Sequence, residues 1–202
     1  MLFRSLVAVS ALLVATPSLA QEAAPQTAPQ AGDRADIETA AAAFVKPTNA
    51  ERTQVVADQL TAAGFTPELQ AFAGGNDRTG PMGGQNVVVT VGGGGKGIVL
   101  TAHYDAVKLR DGSMGQGIVD NAGSVLAMME AAKALKEGLE GQPVAHRFVF
   151  VFTDQEELGL IGAKHFPETH GKDRVPAVIN ADVAAYGETV MYGENNGEQS
   201  GF

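Results

Sequence analysis

Gly97-Ile-Val-Leu-Thr-Ala-His103-Tyr-Asp105 is the stretch whose reading decides the fold. Its apolar residues are consecutive instead of alternating, which marks a strand covered on both faces, and its end switches to a histidine and an aspartate. Two later runs repeat the design. Arg147-Phe-Val-Phe-Val-Phe152 leads into Asp154, Glu156 and Glu157, and Val175-Pro-Ala-Val-Ile-Asn180 leads into Asp182. A fourth run, Asn86-Val-Val-Val-Thr-Val91, precedes the first. The Gly92 to Gly95 stretch between them reads as a hairpin turn, and no Walker or dinucleotide fingerprint follows it.

Helical patterns surround and separate these strands. Ile37, Ala41 and Phe44 recur at helical spacing until Pro47. A second helix opens with the capping-box spacing Thr48-x-x-Glu51, carries Val55, Val56, Leu60 and Ala63, and stops at Gly64. A third begins near Asp120, carries Val125, Met128, Met129, Ala132 and Leu135, and ends around Gly138; a fourth covers about Glu157 to Phe166. This alternation predicts an α/β domain, a three-layer α/β/α sandwich around a mostly parallel mixed sheet.

The 202 residues are one domain's worth, and 45% are hydrophobic, enough for a core. Arg4, the apolar run Leu6 to Ala15 and the small-residue end Ser18-Leu19-Ala20 read as a signal peptide over residues 1–20, so the protein is expected to be exported, to the periplasm or the medium. That run is too short to span a bilayer, and no membrane association is expected after cleavage. Residues 21–32, rich in Ala, Gln and Pro, read as a disordered linker ahead of a domain over 33–202. A net charge of −9 argues against nucleic acid as a partner. The chain has no cysteine, so a metal here must be held by nitrogen and oxygen.

Each polar cluster lies just past the carboxyl end of a strand, the edge where open α/β sheets bind ligands. Asp120, opening a helix from that edge, joins them. Singly, each residue has an ordinary reading: Asp120 as a cap, Glu156 and Glu157 as first-turn acids, Asp182 as a turn residue. Together, His103, Asp120, Glu157 and Asp182 would form a pocket whose carboxylates repel one another unless a divalent cation sits among them. Imidazole and carboxylate without thiolate suit zinc, with manganese or cobalt as substitutes. Of the neighbours Glu156 and Glu157, one can bind metal while the other serves as base. His146, His165 and His170 read as structural.

The motifs His103-Tyr-Asp105, Gly117-Ile-Val-Asp120-Asn121-Ala-Gly-Ser124, Thr153-Asp-Gln-Glu156-Glu157-Leu-Gly-Leu160-Ile-Gly162 and Asn180-Ala-Asp182 together resemble the M28 zinc aminopeptidases. The resemblance implies a zinc-exopeptidase-like fold and two zinc ions. One would be held by His103, Asp120 and Asp182; Asp120 would bridge to a second, which Glu157 also binds. It gives catalytic roles to Glu156, as general base, and to Asp105, which orients His103, and it implies a cis bond at Asp120-Asn121. Hydrolysis of peptides from a free N-terminus is the expected activity. Two features depart from the family pattern. Gly123-Ser124 stands where the family often has Ser-Gly, and the histidine that completes the second zinc site, expected downstream of Asp182, does not occur before Phe202. The chain is therefore expected to be a C-terminally truncated copy, and the alternative function is a non-catalytic, M28-like binding or remnant domain.

Overall fold

The structure, a computed structural model, describes residues 34–171, 177–184, 186, 187 and 193. The expected signal peptide (1–20) and the expected linker (21–32) lie outside the described residues. Helix α1 is Arg34–Ala42 and α2 is Asn49–Ala62. Thr48 caps α2 by accepting from the Glu51 backbone N–H at 3.2 Å, and Gly64 ends it at a left-handed φ of 77°. Strands β1 (Glu68–Asn76), β2 (Gly80–Gly92) and β3 (Gly97–His103) follow. A wide turn over Ile118–Ala122 leads into α3 (Gly123–Gly138), then β4 (Arg147–Thr153), α4 (Ile161–His170) and β5 (Ala177–Asn180). Among the described residues no helix is long and apolar enough to cross a membrane.

The five strands lie in the order β1-β2-β4-β3-β5. Pairs β1/β2 and β2/β4 are antiparallel, β4/β3 and β3/β5 parallel. The sheet is mixed, as sequence reading expected; its antiparallel part comes from the long hairpin of β1 and the first half of β2 and from the pairing of the second half of β2 with β4. Gly74, Gly75, Gly80, Gly83 and Gly84 deprive that hairpin of the β-branched pattern by which strands are recognised. The expected turn at Gly92–Gly95 is also corrected. β2 and β3 do not pair, because β4 lies between them, so these glycines carry the chain across the end of β4. Helix α4 starts at Ile161 and not near Glu157, since residues 156–160 are turns and Leu160 has a φ of 61°.

The core forms on both faces of the sheet. Phe150 and Phe152 of β4 pack with Val56 and Leu60 of α2 and Val125 and Met129 of α3 on one face. The intervening Val149 and Val151 meet Phe166 of α4 on the other. That is the three-layer arrangement the consecutive apolar runs predict, and each fully buried Phe or Val contributes about 1.5–3 kcal/mol. Register then aligns the strand ends. His103 pairs with Thr153 and Thr101 with Asn180, so residues 103–105, 154–157 and 181–182 all emerge at one edge of the parallel half.

Candidate metal and catalytic centre

His103, the last residue of β3, is buried and held by Asp105. Its Nδ1 lies 3.3 Å from the Asp105 carbonyl and 3.4 Å from Asp105 Oδ1. With the Nδ1 proton engaged there, Nε2 is the free ligating atom. Nε2 stands 3.0 Å from Asp120 Oδ1, 3.6 Å from Asp182 Oδ1 and 4.0 Å from Glu156 Oε2. Burial alone would lower the His103 pKa, but the Asp105 hydrogen bond and the charges of Asp105, Glu156 and Asp182 outweigh it and push it up to about 9. A pocket that needs a proton this strongly is one a cation can stabilise.

Asp105 is 1% exposed and organises more than the imidazole. Its Oδ1 accepts from the Glu156 backbone N–H at 3.0 Å and its Oδ2 from that of Glu157 at 3.2 Å. One carboxylate therefore sets the positions of the histidine and of both adjacent glutamates. Burial, reinforced by neighbouring carboxylates and opposed by His103, raises the Glu156 carboxyl above its usual range; Glu157 is raised by burial and then by Asp120. Asp154, grouped with the site by position, turns away from it. Its oxygens accept from the Gln85 and Gln155 backbone N–H groups at 3.1 and 2.8 Å, and burial pushes its carboxyl up to about 6.

Asp120 and Asp182 are set by residues to which sequence reading gave no role. The Asp120-Asn121 bond is cis, as expected. Asn121 donates from Nδ2 to the Ala181 carbonyl at 3.0 Å and accepts at Oδ1 from the Val183 N–H at 3.1 Å, gripping the chain on both sides of Asp182. Ser124 adds a third grip by accepting from the Ala184 N–H at 3.0 Å, so the Gly-Ser order at 123–124 has a structural use. Arg52 of α2, wholly buried, donates from Nη2 to the carbonyls of Gly115 and Gln116 at 2.7 and 2.9 Å and fixes the approach to Asp120. Its place in the 52, 56, 60 stripe of α2 was the available signal: a charged residue on an apolar face needs a buried partner.

Donor atoms of His103, Asp120 and Asp182 all lie within 4.8 Å of one another. Ligands bonded to zinc at about 2.0–2.1 Å in a tetrahedron sit about 3.3 Å apart. The distances of 3.0 and 3.6 Å from His103 Nε2 to the two carboxylates bracket that value, and the nitrogen-and-oxygen donor set is one zinc accepts. Glu157 stands outside this triad but lines the same recess as Asp120, of about 290 Å³. His165 packs against Phe72 with ring centroids 5.3 Å apart, and His170 stacks on Phe166 at 4.3 Å, in keeping with structural roles. His146 precedes β4, at the end opposite the one that carries the site.

The family model for peptidase family M28 matches residues 86–201, more than half of the chain, including His103, Asp105, Asp120, Glu156, Glu157 and Asp182. The chain belongs to peptidase family M28. Solved structures with the same fold include a Zn-dependent exopeptidase from Parabacteroides distasonis, 16% identical with a TM-score of 0.60, the match covering 74% of this chain and 60% of that one. A glutaminyl cyclase from an Acidobacteriales bacterium is 20% identical with a TM-score of 0.60, over 82% of this chain and 63% of that one. A glutaminyl cyclase from Bacteroides thetaiotaomicron, bound to N-acetylhistamine, is 18% identical with a TM-score of 0.58, over 73% and 59%. The M28 chain thus spans about three-fifths of the length of these neighbours. No curated protein matches it.

Proposed function

We propose that this M28 chain carries the centre of a zinc-dependent aminopeptidase, with His103, Asp120 and Asp182 on one zinc and Asp120 and Glu157 on a second. The observation that supports it is the meeting of three donors from three separate segments within 4.8 Å, beside a further carboxylate, Glu156, free to move a proton. Bound zinc would supply a Lewis acid that lowers the pKa of water and polarises the scissile carbonyl. Glu156 then takes the proton of the attacking water. Its Oε2, 4.0 Å from His103 Nε2, is partly open to solvent, and its raised pKa moves it toward the range where a general base works at neutral pH. The carbonyl carbon gains the water oxygen, the C–N bond breaks, and Glu156 returns the proton to the leaving amine. Asp105 engages Nδ1 of His103, which leaves Nε2 as the nitrogen facing the metal position, and holds the Glu156 and Glu157 backbones, so that one side chain serves proton transfer and the other metal.

Peptides with a free N-terminus are the proposed substrates, and the protein is proposed to work outside the cytoplasm. Elemental analysis of the purified protein, beside assays with aminoacyl p-nitroanilides and an N-terminal glutaminyl peptide, tests the reading. Zinc with p-nitroaniline release supports it. Zinc with pyroglutamyl product alone would replace it with the cyclase chemistry named for the structural neighbours, and no metal with no turnover would leave the non-catalytic alternative.

A further inference from the structure

A groove of about 830 Å³ starts at Glu157 and runs between the β1–β2 hairpin and the 106–114 loop. Phe72, Met82, Met114 and Leu158 give it an apolar lining, and Arg78 and Lys108 stand on its two lips. Both cations are exposed, and neither has an ion pair among the described residues.

The lips are built into the site. Asn76 donates from Nδ2 to the Leu158 carbonyl at 3.0 Å, which pins the hairpin tip beside the residue after Glu157, and Arg78 is two residues farther on. Gln155, just before Glu156, is threaded into the hairpin: its Oε1 accepts from the Gly75 N–H at 2.8 Å and its Nε2 donates to the Gly83 carbonyl at 2.9 Å. A Cβ at Gly74 would lie 2.2 Å from Gln155 Oε1, so glycine there makes room for this brace. On the other lip, Lys108 bridges to Met114 in a small antiparallel turn whose Gly115 carbonyl is held by Arg52. Charge is therefore separated along the groove, with the carboxylate of Glu157, which shares a second recess with Asp120, at its inner end and two unpaired cations at its mouth.

We propose that the groove binds short peptides lengthwise, the free amino end at the inner carboxylates and a substrate carboxylate between Arg78 and Lys108. This rests on the aminopeptidase reading of the site. A volume in the range that holds a drug-sized ligand suits a peptide of a few residues, and fields of opposite sign at the two ends align a zwitterion and reject its reverse. The carboxylate can be the peptide's C-terminus or an acidic side chain near it.

The test measures binding separately from turnover. Calorimetric Kd values are taken on zinc-loaded Glu156→Gln protein for Leu-Gly-Gly, its C-terminal amide and Leu-Gly-Asp amide, and KM and kcat are taken on the wild type with the same peptides. The free acid is expected to bind about two- to fivefold more tightly than the amide, the scale of one exposed ion pair. Arg78→Glu and Lys108→Glu each shrink that ratio, and the double variant reverses it. Leu-Gly-Asp amide matching the free acid identifies side-chain recognition, whereas matching the amide identifies the C-terminus as the group read. Equal Kd for all three peptides, or a preference that survives both substitutions, overturns the proposal. Failure of the wild type to cleave any peptide would instead strike the aminopeptidase reading and leave the binding result standing.

Discussion

Asparagine in place of Asp105 is the substitution whose outcome the geometry specifies most closely. The two carboxylate oxygens face three donors: Oδ1 serves His103 Nδ1 at 3.4 Å and the Glu156 N–H at 3.0 Å, and Oδ2 serves the Glu157 N–H at 3.2 Å. An amide keeps the shape but has one oxygen. With that oxygen at the Oδ1 position, the Glu157 N–H faces an NH₂ group; with the amide reversed, His103 Nδ1 and the Glu156 N–H both do. One buried donor left unpartnered costs about 1–3 kcal/mol. The reversed amide also favours the tautomer protonated at Nε2, which cannot ligate. Losing a carboxylate that orients a ligating histidine lowers metal affinity by about 10 to 100-fold, or about 1.4–2.7 kcal/mol, so the two routes give the same scale. The assay is a zinc titration against a competing chelator, beside denaturant unfolding of the metal-free proteins. Asp105→Asn should bind zinc about 10 to 100-fold more weakly and lose no more than about 3 kcal/mol of stability. Wild-type affinity, or a loss of binding as complete as in His103→Ala, would refute the reasoning.

Glu156→Gln should remove about 10² to 10⁴ in rate while leaving zinc content unchanged, and Glu157→Gln should lower zinc content; the reverse pattern in metal analysis and kinetics would interchange their roles. Ser124→Ala removes one of three hydrogen bonds that grip the Asp182 segment, and about a tenfold loss of zinc affinity is expected with the melting temperature of the metal-free protein little changed. For pH dependence, the Asp154 carboxyl is raised from 3.8 to about 6 in the fold, so its contribution to stability is full below pH 3.8 and fades as pH rises through 6. Asp154→Asn lacks that titration; the stability gap between wild type and variant, measured by denaturant unfolding, should therefore be smaller at pH 7.5 than at pH 4.5, by about 2 kcal/mol.

The parallel half of the fold was legible because its strands are buried on both faces. Phe148 to Phe152 can only be a covered strand, and the polar residues after Ala102, Phe152 and Asn180 then fall at one edge by topology alone. From that edge followed His103, Asp120 and Asp182 as neighbours, while the place of Asp105 behind His103 was implied by the family resemblance. The β1–β2 hairpin was not legible, because its middle is glycine and its order comes from Gln155, a residue some eighty positions away. Asn121 and Ser124 were hidden for a related reason. Their work is done on the backbone of Ala181, Val183 and Ala184, and a backbone partner leaves no signature in the sequence. The strand order escaped too, since β2 and β3 are adjacent in sequence yet separated by β4, which arrives later in the chain.

The central claim, a zinc held by His103, Asp120 and Asp182, is tested most directly by crystallography of the zinc-loaded protein with anomalous data at the zinc edge. The account predicts an anomalous peak about 2.0–2.1 Å from His103 Nε2 and bonded to a carboxylate oxygen of both Asp120 and Asp182, absent from crystals of His103→Ala grown in the same zinc. No peak among these three side chains, or a peak that persists in His103→Ala, would contradict it.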